Sequence, residues 1–171
     1  MSSFDLAIPT IIKHEGGFVD HPKDPGGATN WGVSLRYLRS LGHIGDFDSD
    51  GDIDADDIRQ MPKEFALKLY REQWWDKNHY FRIVDQALAT KVFDLAINMG
   101  SKQAHKLLQR ACWMLGQKIT DDGVLGNISF KAINALDAKK LLIEFKRLAI
   151  QFYKLLNKPE FIKGWLARVK D

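Results

Sequence analysis

Apolar side chains recur at helical spacing along most of this sequence, and that period restricts the chain to a mainly helical fold. The first example is the series Phe4, Ile8 and Ile11, which Ser3 precedes as a candidate helix cap. The same period continues over residues 63–76, 86–98, 101–115, 129–136, 138–156 and 159–169. Residues 29–33 follow a Pro-Gly-Gly turn and are short enough to be one strand of a small β-hairpin. We therefore predict a mainly α fold with one small hairpin.

The charge distribution predicts an anionic partner. The 171 residues carry a formal net charge of +3, yet residues 46–57 hold seven aspartates and no basic side chain. Removing those seven negative charges from the total leaves +10 on the rest of the chain. Residues 137–171 are also basic, with nine Lys or Arg against four acidic side chains. A surface of this kind attracts nucleic acid, anionic membrane or cell-wall polymer.

The acidic segment "DFDSDGDIDADD" has the spacing of an EF-hand-type loop. Gly51 falls at position 6, where such a loop turns sharply, and the apolar Ile53 falls at position 8. The ligand positions fall on Asp46, Asp48, Asp50, the backbone of Asp52, Asp54 and Asp57. Because carboxylate oxygens suit a hard cation, we predict a structural Ca²⁺ site, with a solvated acidic loop as the alternative.

The stretch "KHEGGFVDHPKDPGGATNWGVS", residues 13–34, puts a carboxylate at the end of a predicted helix. Glu15 faces the partial negative charge of the last carbonyls there, and aromatic neighbours such as Trp31 favour its protonated form, which a general acid needs. Asp24 lies in a glycine-rich turn, where solvent keeps it ionised, and Thr29 is placed to hold a water. Two carboxylates in unlike environments are typical of glycoside hydrolysis, whereas the alternative is an ordinary surface glutamate before a glycine cap.

The same stretch resembles the N-terminal signature of glycoside hydrolase family 108, the N-acetylmuramidases of phage endolysins and bacterial secretion-activator proteins. The similarity continues through "LRYLRSLGHIGDFDSDGDIDADDI" and "LYREQWWD". Towards the C-terminus, "AINMGSKQAHKLLQRACWMLG", "TDDGVLG" and "FYKLLNKPEFIKGWLARV" are similar to the family's predicted peptidoglycan-binding region. Residues 122–129 depart from the usual Asp-Gly-x-x-Gly-Pro-x-Thr signature, because they lack the proline and end on serine.

The resemblance implies a lysozyme-like fold that cleaves the β-1,4 bond between N-acetylmuramic acid and N-acetylglucosamine. It places Glu15 in the family's catalytic Glu-Gly-Gly. The order Glu15, Asp24, Thr29 is also similar to the Glu…Asp…Thr catalytic arrangement of phage lysozymes, which belong to another family, and this similarity implies Asp24 and Thr29 as further catalytic residues. Asp20 competes with Asp24 for the role of second carboxylate, and a mechanism with Glu15 alone is the third alternative. The predicted substrate-binding residues are Asp20, Asn30, Trp31 and Asn98.

The resemblance also implies two functional regions, a catalytic lobe over residues 1–95 and a helical peptidoglycan-binding region over residues 96–171. For the second region, a purely structural role that covers the catalytic lobe is the alternative. The N-terminal residues contain neither a basic leader nor an uninterrupted apolar stretch. We therefore expect a protein that is made in the cytoplasm without a signal peptide and acts on the cell wall after release.

Two other functions agree with the same residues. A lytic transglycosylase acts on the same bond with one acid and leaves a 1,6-anhydro product, and a non-enzymatic, calcium-dependent binder of wall or membrane uses Glu15 only as a helix end. We expect bacterial peptidoglycan as the main partner and anionic outer-membrane lipid as a partner of the basic C-terminal region. We expect a monomer with no nucleic-acid partner and no organic cofactor.

Overall fold

The computed structural model describes residues 1–20 and 27–171, and their contacts divide the chain into two compact units. Unit 1 comprises Met1–Thr10 and Glu72–Asp171, and unit 2 comprises Ile11–Arg71. The expected boundary between residues 95 and 96 falls inside a helix of unit 1, which runs over Gln86–Met99. The structural division therefore lies elsewhere, and the assignment of separate functions to residues 1–95 and 96–171 stays a prediction.

Helix α1 (Phe4–Glu15) begins in unit 1 and ends in unit 2. It continues through Pro9, whose ring nitrogen carries no hydrogen to donate to the preceding turn. The helix stops where the sequence predicted, because Gly16 adopts a φ of 76°, a left-handed conformation that glycine reaches without steric cost. Glu15 is therefore the last helical residue.

A two-stranded antiparallel sheet follows in unit 2. Thr29 pairs with Ser34 and Asn30 pairs with Val33, so the turn lies at residues 31–32. The hairpin itself is confirmed, but the prediction of a single strand over residues 29–33 is wrong, since this segment contains the turn. The described elements of unit 2 after α1 are β1 (Thr29–Asn30), β2 (Val33–Ser34), α2 (Leu35–Ser40), a 3-10 turn (Gly42–Gly45), α3 (Ala55–Gln60) and α4 (Lys63–Tyr70).

Small and branched apolar side chains form the core of unit 2 beneath this hairpin. The buried members are Ala28, Val33, Leu38, Ile58, Met61, Ala66 and Leu69. Ser34 ends β2 and caps α2, because its hydroxyl accepts a hydrogen bond from the Tyr37 backbone N–H at 3.2 Å. The hairpin is thus fixed at one end by the helix that follows it.

Unit 1 is a bundle of helices. Its longer helices are α5 (Gln86–Met99), α6 (Ser101–Met114), α7 (Asn127–Ala135), α8 (Ala138–Leu155) and α9 (Pro159–Lys170). Helix α6 packs against α5 and α8, and α9 packs against α8. Residues 71–76 form a π-helical turn and residues 80–82 a 3-10 turn. The helix predicted over residues 63–76 is therefore an α-helix only as far as Tyr70.

Aromatic rings occupy the middle of unit 1. Phe4, Trp75, Tyr80 and Phe93 contact one another with ring centroids 5.4–6.0 Å apart. All four side chains are buried, so Trp75 and Tyr80 serve the core rather than a sugar-binding surface. The buried residues of α8 are Leu141, Phe145, Ala149 and Tyr153. None of the helices in the described part of the chain has the length and apolar character needed to cross a bilayer.

Candidate active site

Glu15 lies half-buried at the C-terminal end of α1, and its carboxyl group packs against the turn of the hairpin. A Cβ placed on Gly32 would lie 3.0 Å from both Cγ and Oε2 of Glu15. The same Cβ would lie 2.1 Å from the hydroxyl oxygen of Tyr70, at the end of α4. The carboxyl group and the hydroxyl group therefore share the space that a side chain at residue 32 would need.

The conformation of the turn makes this close approach possible. Both central residues have positive φ, 52° at Trp31 and 77° at Gly32, as type I′ hairpin turns require. The Tyr70 hydroxyl donates a hydrogen bond of 3.0 Å to the carbonyl of Trp31 and so ties α4 to the turn. Lys63 Nζ lies 5.2 Å from the centre of the half-buried Trp31 ring, so one face of that ring is covered by a cation.

The predicted catalytic residue Thr29 lies in β1 and pairs with a residue that precedes the sheet. The backbones of Val19 and Thr29 exchange two hydrogen bonds of 2.8 Å, and the Thr29 hydroxyl is 3.5 Å from the Val19 carbonyl. Asp20 follows Val19 directly and is exposed. Asp24 lies outside the described residues, so its role and the choice between Asp24 and Asp20 stay predictions.

Two predicted substrate-binding residues form structural contacts. Asn30 is buried, and its side-chain amide donates a 3.0 Å hydrogen bond to the carbonyl of Ile58, which joins the hairpin to α3. Asn98 belongs to α5 in unit 1, where its side-chain oxygen accepts a hydrogen bond from the Tyr153 hydroxyl on α8. Their contacts with substrate stay predictions.

The acidic loop brings its carboxylates together in two groups of three. Within each group, one oxygen from every residue lies within 4.8 Å of the others: Asp46, Asp48 and Asp50 in the first group, and Asp52, Asp54 and Asp57 in the second. Ca²⁺–oxygen bonds are ~2.3–2.6 Å long. Two oxygens on opposite sides of one ion are therefore separated by about twice that length, which is close to the spacing within each group. Each group of three carboxylate oxygens therefore fits a hard cation such as Ca²⁺.

Backbone hydrogen bonds hold the loop in shape. The Asp46 carboxylate accepts from the N–H groups of Ser49 at 2.7 Å and Gly51 at 3.2 Å, and Gly51 has a φ of 96°. The Asp57 carboxylate accepts from Phe47 at 2.6 Å and from Asp54 at 2.8 Å. Backbone N–H groups of the loop thus fix the positions of its first and last carboxylates.

The pKa values of three acids in the loop are shifted, those of Asp48 and Asp52 upward and that of Asp57 downward. Repulsion by Asp50, followed by partial desolvation, raises the pKa of Asp52 above the usual value for aspartate. Burial acts to raise the pKa of Asp57, but the hydrogen bonds from Asp54 and Phe47 outweigh it and lower that pKa. Asp57 therefore presents a buried anionic carboxylate next to acids that repel one another, an arrangement that a cation would neutralise.

The segment that resembles a peptidoglycan-binding signature is organised around a buried glutamine. Gln109 donates to Asp122 at 2.9 Å and to the Val124 carbonyl at 3.0 Å, and it accepts from the Gly123 N–H at 2.8 Å. Beside it, a surface groove of about 320 Å³ is lined by Arg110, Trp113, Met114, Ile119, Thr120 and Asp121. The motif thus builds a turn, and an exposed indole lies next to that turn.

Sequence reasoning did not assign Gly32 or Tyr70 to the site. Tyr70 fits the apolar face of the helix over residues 63–76, and nothing in its spacing indicates a polar partner. The sequence did contain a signal for the turn, the dipeptide Trp31-Gly32. Glycine is common at the second central position of type I′ turns.

Comparisons with known proteins found one family profile and one solved structure of note. The sequence profile described as glycosyl hydrolase 108 matches residues 8–100. Among solved structures, the one titled "Structure of Brucella abortus SagA" matches with a TM-score of 0.74 and 30% sequence identity, covering 98% of this chain and 89% of that chain. No curated protein matches the sequence.

The family profile and the structural match, together with the mainly helical fold and the one small sheet of the described residues, define a lysozyme-like hydrolase of peptidoglycan. The profile covers more than half of the residues. The chain belongs to glycosyl hydrolase family 108.

Proposed function

We propose that the protein is an N-acetylmuramidase that cleaves the β-1,4 bond between N-acetylmuramic acid and N-acetylglucosamine, with Glu15 as the general acid. The observation that carries this proposal is the half-buried Glu15 carboxyl group beside the Trp31–Gly32 turn, in a chain of a glycoside hydrolase family. A protonated carboxyl group there donates its proton to the glycosidic oxygen as the bond to the sugar carbon breaks.

The positive charge that develops on the sugar ring requires a second group. In the proposed mechanism Asp24 stabilises that charge or directs the attacking water, and Thr29 holds the water. Asp20 is the alternative, because it is exposed and adjoins Val19, the pairing partner of Thr29. Comparison of Asp24→Asn with Asp20→Asn identifies the second carboxylate, and the more damaging change marks it.

The acid role is tested by Glu15→Gln, which keeps the shape of the side chain but removes its proton. We expect lysis of purified cell walls to fall by ~10²-fold or more, the contribution of a positioned general acid. Glu64→Gln is the control, since Glu64 is an exposed glutamate in the first turn of α4 in the same unit. Activity of Glu15→Gln within a few fold of wild type would contradict the assignment.

The products separate the enzymatic alternatives. Hydrolysis gives a reducing N-acetylmuramic acid end, whereas a lytic transglycosylase leaves a 1,6-anhydro ring, which is lighter by one water molecule. Mass spectrometry of digested walls distinguishes the two. A binder without enzymatic activity releases neither product.

We propose Ca²⁺ as a structural ion in the acidic loop. Asp46, Asp48, Asp50 and Asp57, with the backbone carbonyl of Asp52 and the Asp54 side chain, would hold it. The support is the gathering of the carboxylate oxygens in two groups of three, each within 4.8 Å, and the backbone hydrogen bonds that orient Asp46 and Asp57. The ion would neutralise the repulsion among the aspartates and order the connection between α2 and α3.

For unit 1 we propose contact with the wall through the groove beside Trp113. An exposed indole next to the paired Arg110 and Asp121 side chains offers an apolar face for a sugar ring and polar groups for its hydroxyls. Trp113→Ala should weaken sedimentation of the protein with insoluble walls and leave hydrolysis of soluble fragments unchanged. Equal sedimentation of both proteins would favour a purely structural role.

We propose anionic lipid as a second partner, which contacts the corner between α8 and α9. Leu155 is 84% exposed, Phe161 is 55% exposed and Leu156 is 42% exposed. Exposed basic side chains surround these apolar groups: Lys154, Lys158 and Lys163. Apolar insertion and attraction to anionic headgroups add together on such a surface.

A further inference from the structure

We propose that Tyr70 is a positioning residue for Glu15, and that residue 32 must be glycine because the Tyr70 hydroxyl and the Glu15 carboxyl group occupy its side-chain space. This inference rests on the proposed role of Glu15 as general acid. It concerns how α4, an element that carries no proposed catalytic group, determines the position of that acid.

The first step is the convergence of two side chains on one backbone position. The Tyr70 oxygen and the Glu15 Oε2 lie 2.1 Å and 3.0 Å from the point where a Cβ of residue 32 would be. The two oxygen atoms are therefore within about 5 Å of each other. They come from the ends of different helices, and both lie beside Gly32, which has no side chain.

The second step is that Tyr70 is itself fixed. It is 4% exposed, and its hydroxyl donates to the carbonyl of Trp31 at 3.0 Å. Its burial on α4 and this hydrogen bond hold the phenol oxygen beside the turn. Because Trp31 and Gly32 adjoin, the same contact fixes the surface against which Glu15 packs.

The third step is that Glu15 stands at the end of its helix, beside the turn that Tyr70 holds. Glu15 is the last residue of α1, and the chain leaves the helix directly afterwards at Gly16 and Gly17. The Glu15 carboxyl group packs against the backbone of Gly32, next to the residue that Tyr70 bonds. Since small displacements of a catalytic group cost large factors in rate, loss of the Tyr70 contact should lower kcat more than it changes KM.

The test is a double-mutant cycle of Tyr70→Phe and Gly32→Ala, with kcat and KM measured on soluble peptidoglycan fragments and Tm measured for each protein. Tyr70→Phe should lower kcat ~10-fold with KM nearly unchanged, and Gly32→Ala should lower kcat ~10²-fold. In the Tyr70→Phe background the atom that lies 2.1 Å from the new methyl group is absent. Gly32→Ala should then cost much less than it costs in wild type, although the strain of a positive φ is the same in both backgrounds.

Tyr37→Phe is the matched control, because Tyr37 is a half-buried tyrosine that packs on the core of the same unit. It should leave kcat unchanged. Additive effects of Gly32→Ala and Tyr70→Phe, or a kcat of Tyr70→Phe equal to wild type, would overturn the proposal. If Gly32→Ala does not fold, the kcat of Tyr70→Phe alone decides.

Glu15→Gln, assayed in parallel, separates the two proposals. An inactive Glu15→Gln together with a fully active Tyr70→Phe leaves the acid assignment intact and rejects only the positioning role. An active Glu15→Gln rejects both.

Discussion

The buried ion cluster of unit 1 allows a prediction with a calculable size. Lys91 Nζ lies 3.0 Å from Asp94 Oδ2, and Arg168 Nε lies 2.8 Å from Asp94 Oδ1. The exposed fractions of the three side chains are 5% for Lys91, 0% for Asp94 and 10% for Arg168. Asp94→Asn removes the negative charge and leaves two buried cations without a carboxylate between them. Breaking a buried pair in this way costs ~3–5 kcal/mol of the free energy of unfolding.

The assay is calorimetric unfolding of wild type and variant at neutral pH. For a chain of this size, 1 kcal/mol corresponds to roughly 2–4 °C in Tm, so the expected decrease is about 6–20 °C. The control is Asp121→Asn, because Asp121 pairs with Arg110 at 2.5 Å on the surface, with side chains 44% and 52% exposed. An exposed pair of this kind contributes ~0–1 kcal/mol to the free energy of unfolding, so Asp121→Asn should lower Tm by about 4 °C or less.

Ionic strength provides a second comparison. Salt screens exposed charges over a Debye length of about 8 Å at physiological ionic strength, so the small effect of Asp121→Asn should shrink further at high salt. The large effect of Asp94→Asn should persist. Equal decreases in Tm for the two variants, or an effect of Asp94→Asn that salt removes, would refute the reasoning from burial.

Three further outcomes are expected. Removal of divalent cations with a chelator should lower Tm, and Ca²⁺ at 100 times its Kd should restore about 2.7 kcal/mol of stability; an unchanged Tm after verified metal removal would count against the loop site. Burial lowers the pKa of His105, which accepts a hydrogen bond from Tyr80, so stability should be complete above the unfolded-state pKa of about 6.5 and fall as pH drops below it. Urea unfolding at pH 5–7 should show a flatter dependence for His105→Gln, and identical slopes would contradict this. At the α8–α9 corner, Leu155→Gln with Phe161→Gln should weaken co-sedimentation with phosphatidylglycerol vesicles at low salt without loss of hydrolysis, whereas unchanged binding would reject the lipid contact.

The local structure was predictable where a short-range cause acts. Helical periodicity located the main helices, Gly16 ended α1 as expected, and the Ser34 hydroxyl caps α2. The acidic loop was also readable, because its ligand spacing lies within twelve consecutive residues. In each case the residues that interact are close to one another in the sequence.

The contacts that orient the candidate site join distant parts of the chain, and this is why sequence reasoning missed them. Tyr70 meets Trp31 across 39 positions, and the Tyr153 bond to Asn98 spans 55. Periodicity assigns Tyr70 to an apolar face correctly, yet it carries no information about what the hydroxyl meets. The change from α-helix to π-helix after Tyr70 likewise depends on packing and leaves no local signal.

The construction of unit 1 from two separate parts of the chain affects the order in which the protein folds during synthesis. Ser3 bonds Gln86 across 83 positions, and Phe4 packs on Phe93. At ~5–20 residues per second, the ribosome releases the partners of the first residues roughly 4–17 s after those residues themselves. Unit 2 is continuous over Ile11–Arg71 and is complete within that interval. The aromatic side chain at the start of α1 is therefore exposed while the later helices are made, and during this period a chaperone has the most apolar surface to bind.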